Sequence, residues 1–228
     1  MAMKFALSSL SLPAVDTPQV FARAREAGYD GVELHATPDD PAELRQSAGI
    51  EIACLATDFE IPAKAGARRK ATAEIKRLIE TTAALRCPHL RLRAGAARRG
   101  QSAGAFAAEL REWILPLADM AGGQGVSLLI DNAGAFARSR DLWTLLDLLN
   151  HPRVAAAWVL AGGESPYVAV PTLNSHIRYV VVGEEDLGLE NFFDRLRGIG
   201  YGGYVTVRSN NAGLAHALSR VRQAAGRK

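Results

Sequence analysis

Long hydrophobic runs are missing from this chain of 228 residues. None approaches the roughly 18 apolar residues that a membrane span requires, which excludes an integral helical membrane protein. Cysteine is scarce: there are two, Cys54 and Cys87, and neither belongs to a CxxC pair. That excludes a disulfide scaffold and a CxxC-type structural zinc site. Excess charge is nearly missing too, with 27 Lys and Arg against 24 Asp and Glu. The surplus of three positive charges permits anionic ligands without arguing for nucleic acid. There is no linker and no low-complexity tract, so residues 1–228 read as a single domain.

What is present is the composition of one soluble globular domain, 48% hydrophobic and 22% charged. The first ten residues, Met1 to Leu10, carry one Lys before an apolar stretch, as a signal peptide does. Serines interrupt that stretch and no small-x-small cleavage site follows, so it reads as a first strand and the expected location is the cytoplasm.

Short β-type runs alternate with helical ones along the whole chain. The strands expected are Phe5–Ser9, Val32–Ala36, Ile52–Thr57, His89–Arg93, Ser127–Asn132, Ala155–Leu160, Arg178–Val182 and Tyr204–Arg208. Helical stretches lie between them, among them Pro18–Ala27, Arg68–Leu85, Ala105–Ala121, Asp141–Leu149 and Glu190–Gly198. Ile75, Leu78, Ile79 and Thr82 recur at helical spacing, as do Leu110, Ile114, Leu117 and Met120. Pro166–His176, with prolines at both 166 and 171, is the weakest helical segment. Eight βα units of about 28 residues each predict an α/β chain closed into a (β/α)8 TIM barrel. The connections agree. Helix-to-strand links are tight and marked by Gly or Pro, whereas strand-to-helix links such as Asp58–Ala67, Gly95–Gly104 and Gly183–Gly188 are longer and more polar. In such a barrel the functional face is built from those longer loops.

Three stretches carry a resemblance. The first is Glu26-Ala27-Gly28-Tyr29-Asp30-Gly31-Val32-Glu33-Leu34-His35. The second runs from Asp141-Leu142-Trp143 through Asn150-His151-Pro152-Arg153-Val154 to Gly163-Glu164-Ser165-Pro166. The third pairs Arg178-Tyr179-Val180 with Ile199-Gly200-Tyr201-Gly202-Gly203-Tyr204-Val205. In this order they resemble the xylose isomerase-like TIM-barrel superfamily of sugar isomerases and epimerases. The resemblance implies a divalent ion at the barrel mouth, held by four strand-end ligands. These are a Glu in a Glu-Asn-His motif on strand five, an Asp after Trp on strand six, a His on strand seven and a Glu on strand eight. The matching positions here are Asp131 in Asp131-Asn132-Ala133, Val159 after Trp158, Val181, and Arg208. A hard divalent ion wants several oxygens or imidazoles, which two valines and a guanidinium do not offer. The expectation is therefore no metal and no cofactor. Five histidines, with only His35 at the mouth, also fall short of the multi-zinc endonucleases that share this barrel.

Side chains alternate in and out along a strand. With the matched positions as register, Glu33 and His35 point inward from strand two, Arg91 and Arg93 from strand four, Asp131 from strand five and Arg208 from strand eight. Glu184, just past strand seven, is expected on the rim. Two readings stay open. In one, Arg91, Arg93, Asp131, Arg208 and Glu184 line a pocket for a small sugar-type or anionic ligand. Glu33 and His35 are then its acid–base pair, as in a metal-independent sugar (phosphate) isomerase or epimerase. In the other, the charges are a structural network that replaces the ion, Asp131 pairing with Arg208 and Glu33 with an arginine, in a non-catalytic binding protein. The residues lean to the second, because no acid, base and electrophile can be named together without the metal. Neither nucleic acid nor membrane is an expected partner, and the sequence says nothing of oligomeric state.

Arg98, Arg99 and the basic cluster Lys64–Lys70 read as solvated charges, and Glu184-Glu185-Asp186 as an acidic rim. Trp158 has outward parity and is expected beneath a helix. Cys54 and Cys87 are expected to be buried free thiols.

Overall fold

A computed structural model describes residues 2–35, 37–160, 164–209 and 213–226. Met1, Ala36 at the end of the expected second strand, and Gly163 in the second family-like stretch lie outside the described residues. The strands are β1 (Lys4–Ser8), β2 (Gly31–Leu34), β3 (Glu51–Ile61), β4 (His89–Ala94), β5 (Ser127–Asp131), β6 (Val154–Val159), β7 (Ile177–Gly183) and β8 (Tyr204–Arg208). Each pairs in parallel with the next, and β8 pairs with β1, closing the barrel in sequence order. A helix follows each strand: α1 (Thr17–Glu26), α2 (Pro41–Ser47), α3 (Ala65–Ala84), α4 (Ala103–Gly123), α5 (Ser139–Leu149), α6 (Pro166–Leu173), α7 (Leu189–Gly198) and α8 (Leu214–Ala224).

The helices form where periodicity and caps agree. On α5, Leu142, Leu145, Leu146 and Leu149 are buried, a stripe at the spacing of one helix face. At the start of α1 the Asp16 carboxylate accepts from the Gln19 amide, with Pro18 in the first turn. Even the Pro166 segment is helical. Pro166 occupies the first turn, where a missing N–H costs nothing, and a short 3-10 turn, Asn174–His176, completes the run.

Strand parity sorts the core in two. Ala6, Ala53, Cys54, Leu129, Ala155, Ala157, Tyr179 and Val181 fill the lower barrel interior. Residues of opposite parity, such as Leu90, Leu92, Val180 and Trp158, pack outward beneath the helices. Trp158 is thus where its parity places it, and both cysteines are buried and free. Burial raises both thiols, Cys87 to about 12, so neither is a thiolate near neutrality. Among the described residues no helix is long and apolar enough to cross a membrane.

Two local readings are corrected. The strand expected to end at Thr57 continues to Ile61, because Glu60 and Ile61 pair with Arg93 and Ala94 and Ile61 is buried. The basic cluster at 64–70 is not all solvated. Arg68 is buried and pairs with Glu109 across to α4 at 3.2 Å, and Arg98 pairs with the same carboxylate.

Candidate functional site

The C-terminal ends of the strands shape the mouth. Glycine permits the close packing between the ends of β4 and β5. Gly134 has φ +55°, and a Cβ there would meet the Ala94 and Gly95 carbonyl oxygens at 2.4 Å. That turn follows Asp131 and Asn132 directly. The Asn132 amide accepts from the Val159 backbone N–H at 2.7 Å and donates to the Val159 carbonyl at 3.0 Å. It acts as an extra rung between β5 and β6 and fixes the level of Val159 beside Asp131. Its role was not legible in the sequence, since an Asn after a strand-end acid shows nothing of what it bonds.

At the centre lies Arg91, buried at 5% exposure. Its Nη1 donates to Glu33 Oε2 at 2.8 Å, and its Nε forms an ion pair with Asp131 Oδ1 at 3.3 Å. Glu33 is fully buried and does not line the cavity above. One half of the expected network is therefore present, Glu33 with an arginine. The other half is different. Asp131 pairs with Arg91, and among the described residues no ion pair joins it to Arg208. The reason is strand order: β4 is the neighbour of β5, whereas β8 lies across the barrel.

His35 touches the same group. Its Nε2 lies 3.5 Å from Arg91 Nη2 and 3.4 Å from Glu33 Oε1. Its Nδ1 lies 3.4 Å from Ser9 Oγ, which also accepts from the His35 backbone N–H at 3.0 Å. The neutral ring with its proton on Nδ1 satisfies these partners, accepting from Arg91 and donating to Ser9. Burial, foremost, pushes the His35 pKa down, with Glu33 opposing and Arg91 and Arg208 assisting. Both ring nitrogens are thus engaged within the protein.

Burial pushes Asp131 up to about 6, and Arg91 is the largest opposing influence. Arg93 is inward by parity but exposed at the rim, and it faces the same cavity. Glu184 is not an open rim residue. It is 5% exposed and accepts from Ser209 Oγ at 2.7 Å, while its backbone N–H donates to the Arg208 carbonyl. The structure thus brings Glu33, His35, Arg91 and Asp131 into one contact group. Arg93 and Arg208 border that group without an acidic partner within ion-pair distance, and Glu184 is turned away.

The mouth cavity measures about 370 Å³, with His35, Asp58, Arg91, Arg93, Asp131 and Arg208 in its wall. Six buried side-chain polar atoms among the described residues lack a hydrogen-bond partner. Four of them, Ser8 Oγ, Glu33 Oε1, Asp131 Oδ1 and Arg208 Nε, belong to strand ends at this mouth. Buried polar atoms are ordinarily satisfied, so their clustering marks a polar site. Among the described residues no three His, Cys, Asp or Glu side chains come together as a group that could hold a metal ion.

Comparison with known proteins places this geometry. The fold matches D-psicose 3-epimerase in the presence of D-fructose, with TM-score 0.82 and 16% identity over 98% of this chain and all (100%) of that one. It matches 3-keto-D-glucoside 4-epimerase from E. coli, with TM-score 0.83 and 13% identity over 97% and 99% of the two chains. An AP endonuclease of family 2 from Brucella melitensis gives TM-score 0.76 and 20% identity over 95% and 97%. These likenesses establish the shared fold. No curated protein matches by sequence. The family model described as xylose isomerase-like TIM barrel matches residues 21–160, more than half of the chain. The chain belongs to the xylose isomerase-like TIM barrel family.

Proposed function

We propose that this protein is a family member without the metal centre, and that its barrel mouth binds a small anionic ligand. Arg208 is the observation that carries the reading. It stands at the strand-eight position where the family resemblance implies a ligating Glu. Its Nε is buried without a hydrogen-bond partner, and no carboxylate of the described residues lies within ion-pair distance. A buried donor of fixed charge costs stability unless something accepts from it. A carboxylate or phosphate does so with two parallel hydrogen bonds, and Arg93 on the facing wall adds a second cation.

The donor set does not fit a divalent ion. Of the four matched positions only Asp131 offers an oxygen, and that oxygen is already paired with Arg91. Val159 and Val181 offer methyl groups, and Arg208 places a positive charge where a cation would sit. Arg91 instead neutralises the two carboxylates, so the remaining charge at the mouth is the unpaired cation of Arg208 and Arg93. That imbalance attracts an anion.

Calorimetric titration with sugar acids, sugar phosphates and Mn²⁺ tests the proposal. Saturable anion binding that disappears in Arg208→Ala is expected, with no tight divalent binding. Installing the absent donors together (Val159→Asp, Val181→His, Arg208→Glu) is expected to create divalent binding. Tight Mn²⁺ binding by the unmodified chain, or anion binding indifferent to Arg208, refutes the reading.

Asp131 supports a second reading, a metal-independent isomerase or epimerase. Its carboxyl, raised to about 6, lies on the cavity wall with Arg91 beside it as a fixed electrophile. Glu33 is sealed below the cavity and His35 is engaged at both nitrogens, so a proton-transfer role falls to Asp131 rather than to them. Incorporation of solvent deuterium into a keto sugar, lost in Asp131→Asn, would establish this reading over the first.

A further inference from the structure

The ligand can be narrowed further, on the footing that the mouth is an anion site. Arg208 borders two cavities of nearly equal size, about 370 Å³ and about 360 Å³, which also share Val159. The first is the polar one above Arg91 and Asp131. The second has Val159, Leu160, Val181 and Val182 in its wall and Glu184, Glu185 and Asp186 along its edge. Two of those acids are engaged within the protein. Glu184 accepts from Ser209 Oγ, and Asp186 Oδ2 accepts from the Gly183 amide at 2.7 Å. Glu185 is exposed to solvent. A body lying across the second cavity therefore meets methyl groups at the two positions where the resemblance implies ligating side chains.

We infer that the ligand is a small carboxylate with an apolar body, not a polyol. Its carboxylate sits on Arg208 at the side of Arg93, and its hydrocarbon lies across Val159 toward Val181. The acidic edge of the second cavity repels the reverse orientation. A polyol in the same place loses the hydration of its hydroxyls against valine methyls that cannot hydrogen-bond. An apolar ring gains by leaving water.

The test compares two probes of equal charge, cyclohexanecarboxylate and D-gluconate, titrated calorimetrically into the purified full chain. Cyclohexanecarboxylate is expected to bind at least about tenfold tighter, the effect of burying a few methylenes. Val181→Thr keeps the shape of the floor and adds a hydroxyl. It is expected to shrink that preference by about threefold or more through weaker cyclohexanecarboxylate binding. Val159→Thr serves the same purpose if Val181→Thr fails to fold. D-gluconate binding as tightly or tighter overturns the inference, as does a preference unchanged in the threonine variant. If both probes bind equally and both depend on Arg208, the anion site stands and only the apolar body falls. If neither binds the unmodified chain, the anion site falls with it.

Discussion

The two halves of the barrel mouth are built on opposite plans. On the side of β2, β4 and β5, Glu33, Arg91 and Asp131 are locked into one buried group, with His35 against it. On the side of β6, β7 and β8, Val159 and Val181 offer no polar atom, and Arg208 has no acidic partner within ion-pair distance. The first half has its charges satisfied from within. The second has a cation and an apolar floor, the two features a ligand would complement. Two arginines of the same barrel interior thus do different work: Arg91 holds the fold, and Arg208 awaits an anion.

The most direct way to break this comparison is to remove each arginine in turn. Arg91→Ala leaves Glu33 uncompensated in the barrel interior, and losing one partner of a buried pair costs about 3–5 kcal/mol. Urea unfolding monitored by circular dichroism should show that loss. Arg208→Ala, which breaks no ion pair, should stay within about 0.5 kcal/mol of the unmodified chain. Equal losses for the two would erase the distinction between the halves.

Ligand binding should show the reverse order. Arg208→Ala removes a charge-assisted, two-pronged contact, and affinity for a carboxylate should fall by about tenfold to a hundredfold. Arg93, exposed at the rim, should matter less, about twofold to fivefold, and its effect should fade in high salt. Calorimetry at two salt concentrations separates them. A rim residue that outweighs Arg208 would move the site outward, away from the strand-eight end.

Most of the fold was legible because the alternation of strand and helix repeats so regularly that closure follows from length. The exceptions are instructive. Asp58 to Ile61 looks like loop from its polarity, yet β3 continues there because the end of β4 supplies partners and buries Ile61. In the site, parity correctly turned Glu33, Arg91, Asp131 and Arg208 inward, but parity gives direction and not partnership. Both arginines point at the axis, and which one meets Asp131 depends on strand adjacency. Glu184 lay beyond the reach of parity, since it follows the strand. Its burial comes from Ser209, on the neighbouring strand end.

The smallest effect expected is the most specific. Asp131 stands between the two halves, paired with Arg91 and close enough to Arg208 for that guanidinium to lower its pKa. Burial still holds its carboxyl at about 6, above the ordinary 3.8. The folded state therefore holds the proton more tightly than the unfolded chain. Any stability this group contributes is present below about 4 and is lost as pH rises through about 6. Binding follows the same proton. At pH about 7.5 Asp131 is ionised and opposes an anion on Arg208; near pH about 5.5 it is mostly neutral and the opposition is relieved. The His35 pKa is lowered, so that ring contributes little new positive charge across the window. A probe of constant charge, cyclohexanesulfonate, isolates the effect. Its affinity should rise about threefold to tenfold on acidification, a screened interaction between partly exposed charges. In Asp131→Asn the affinity should already be high at pH about 7.5 and should change little with pH. Affinity that falls on acidification, or a pH dependence that survives in Asp131→Asn, would separate Asp131 from the anion site and leave it a structural partner of Arg91 alone.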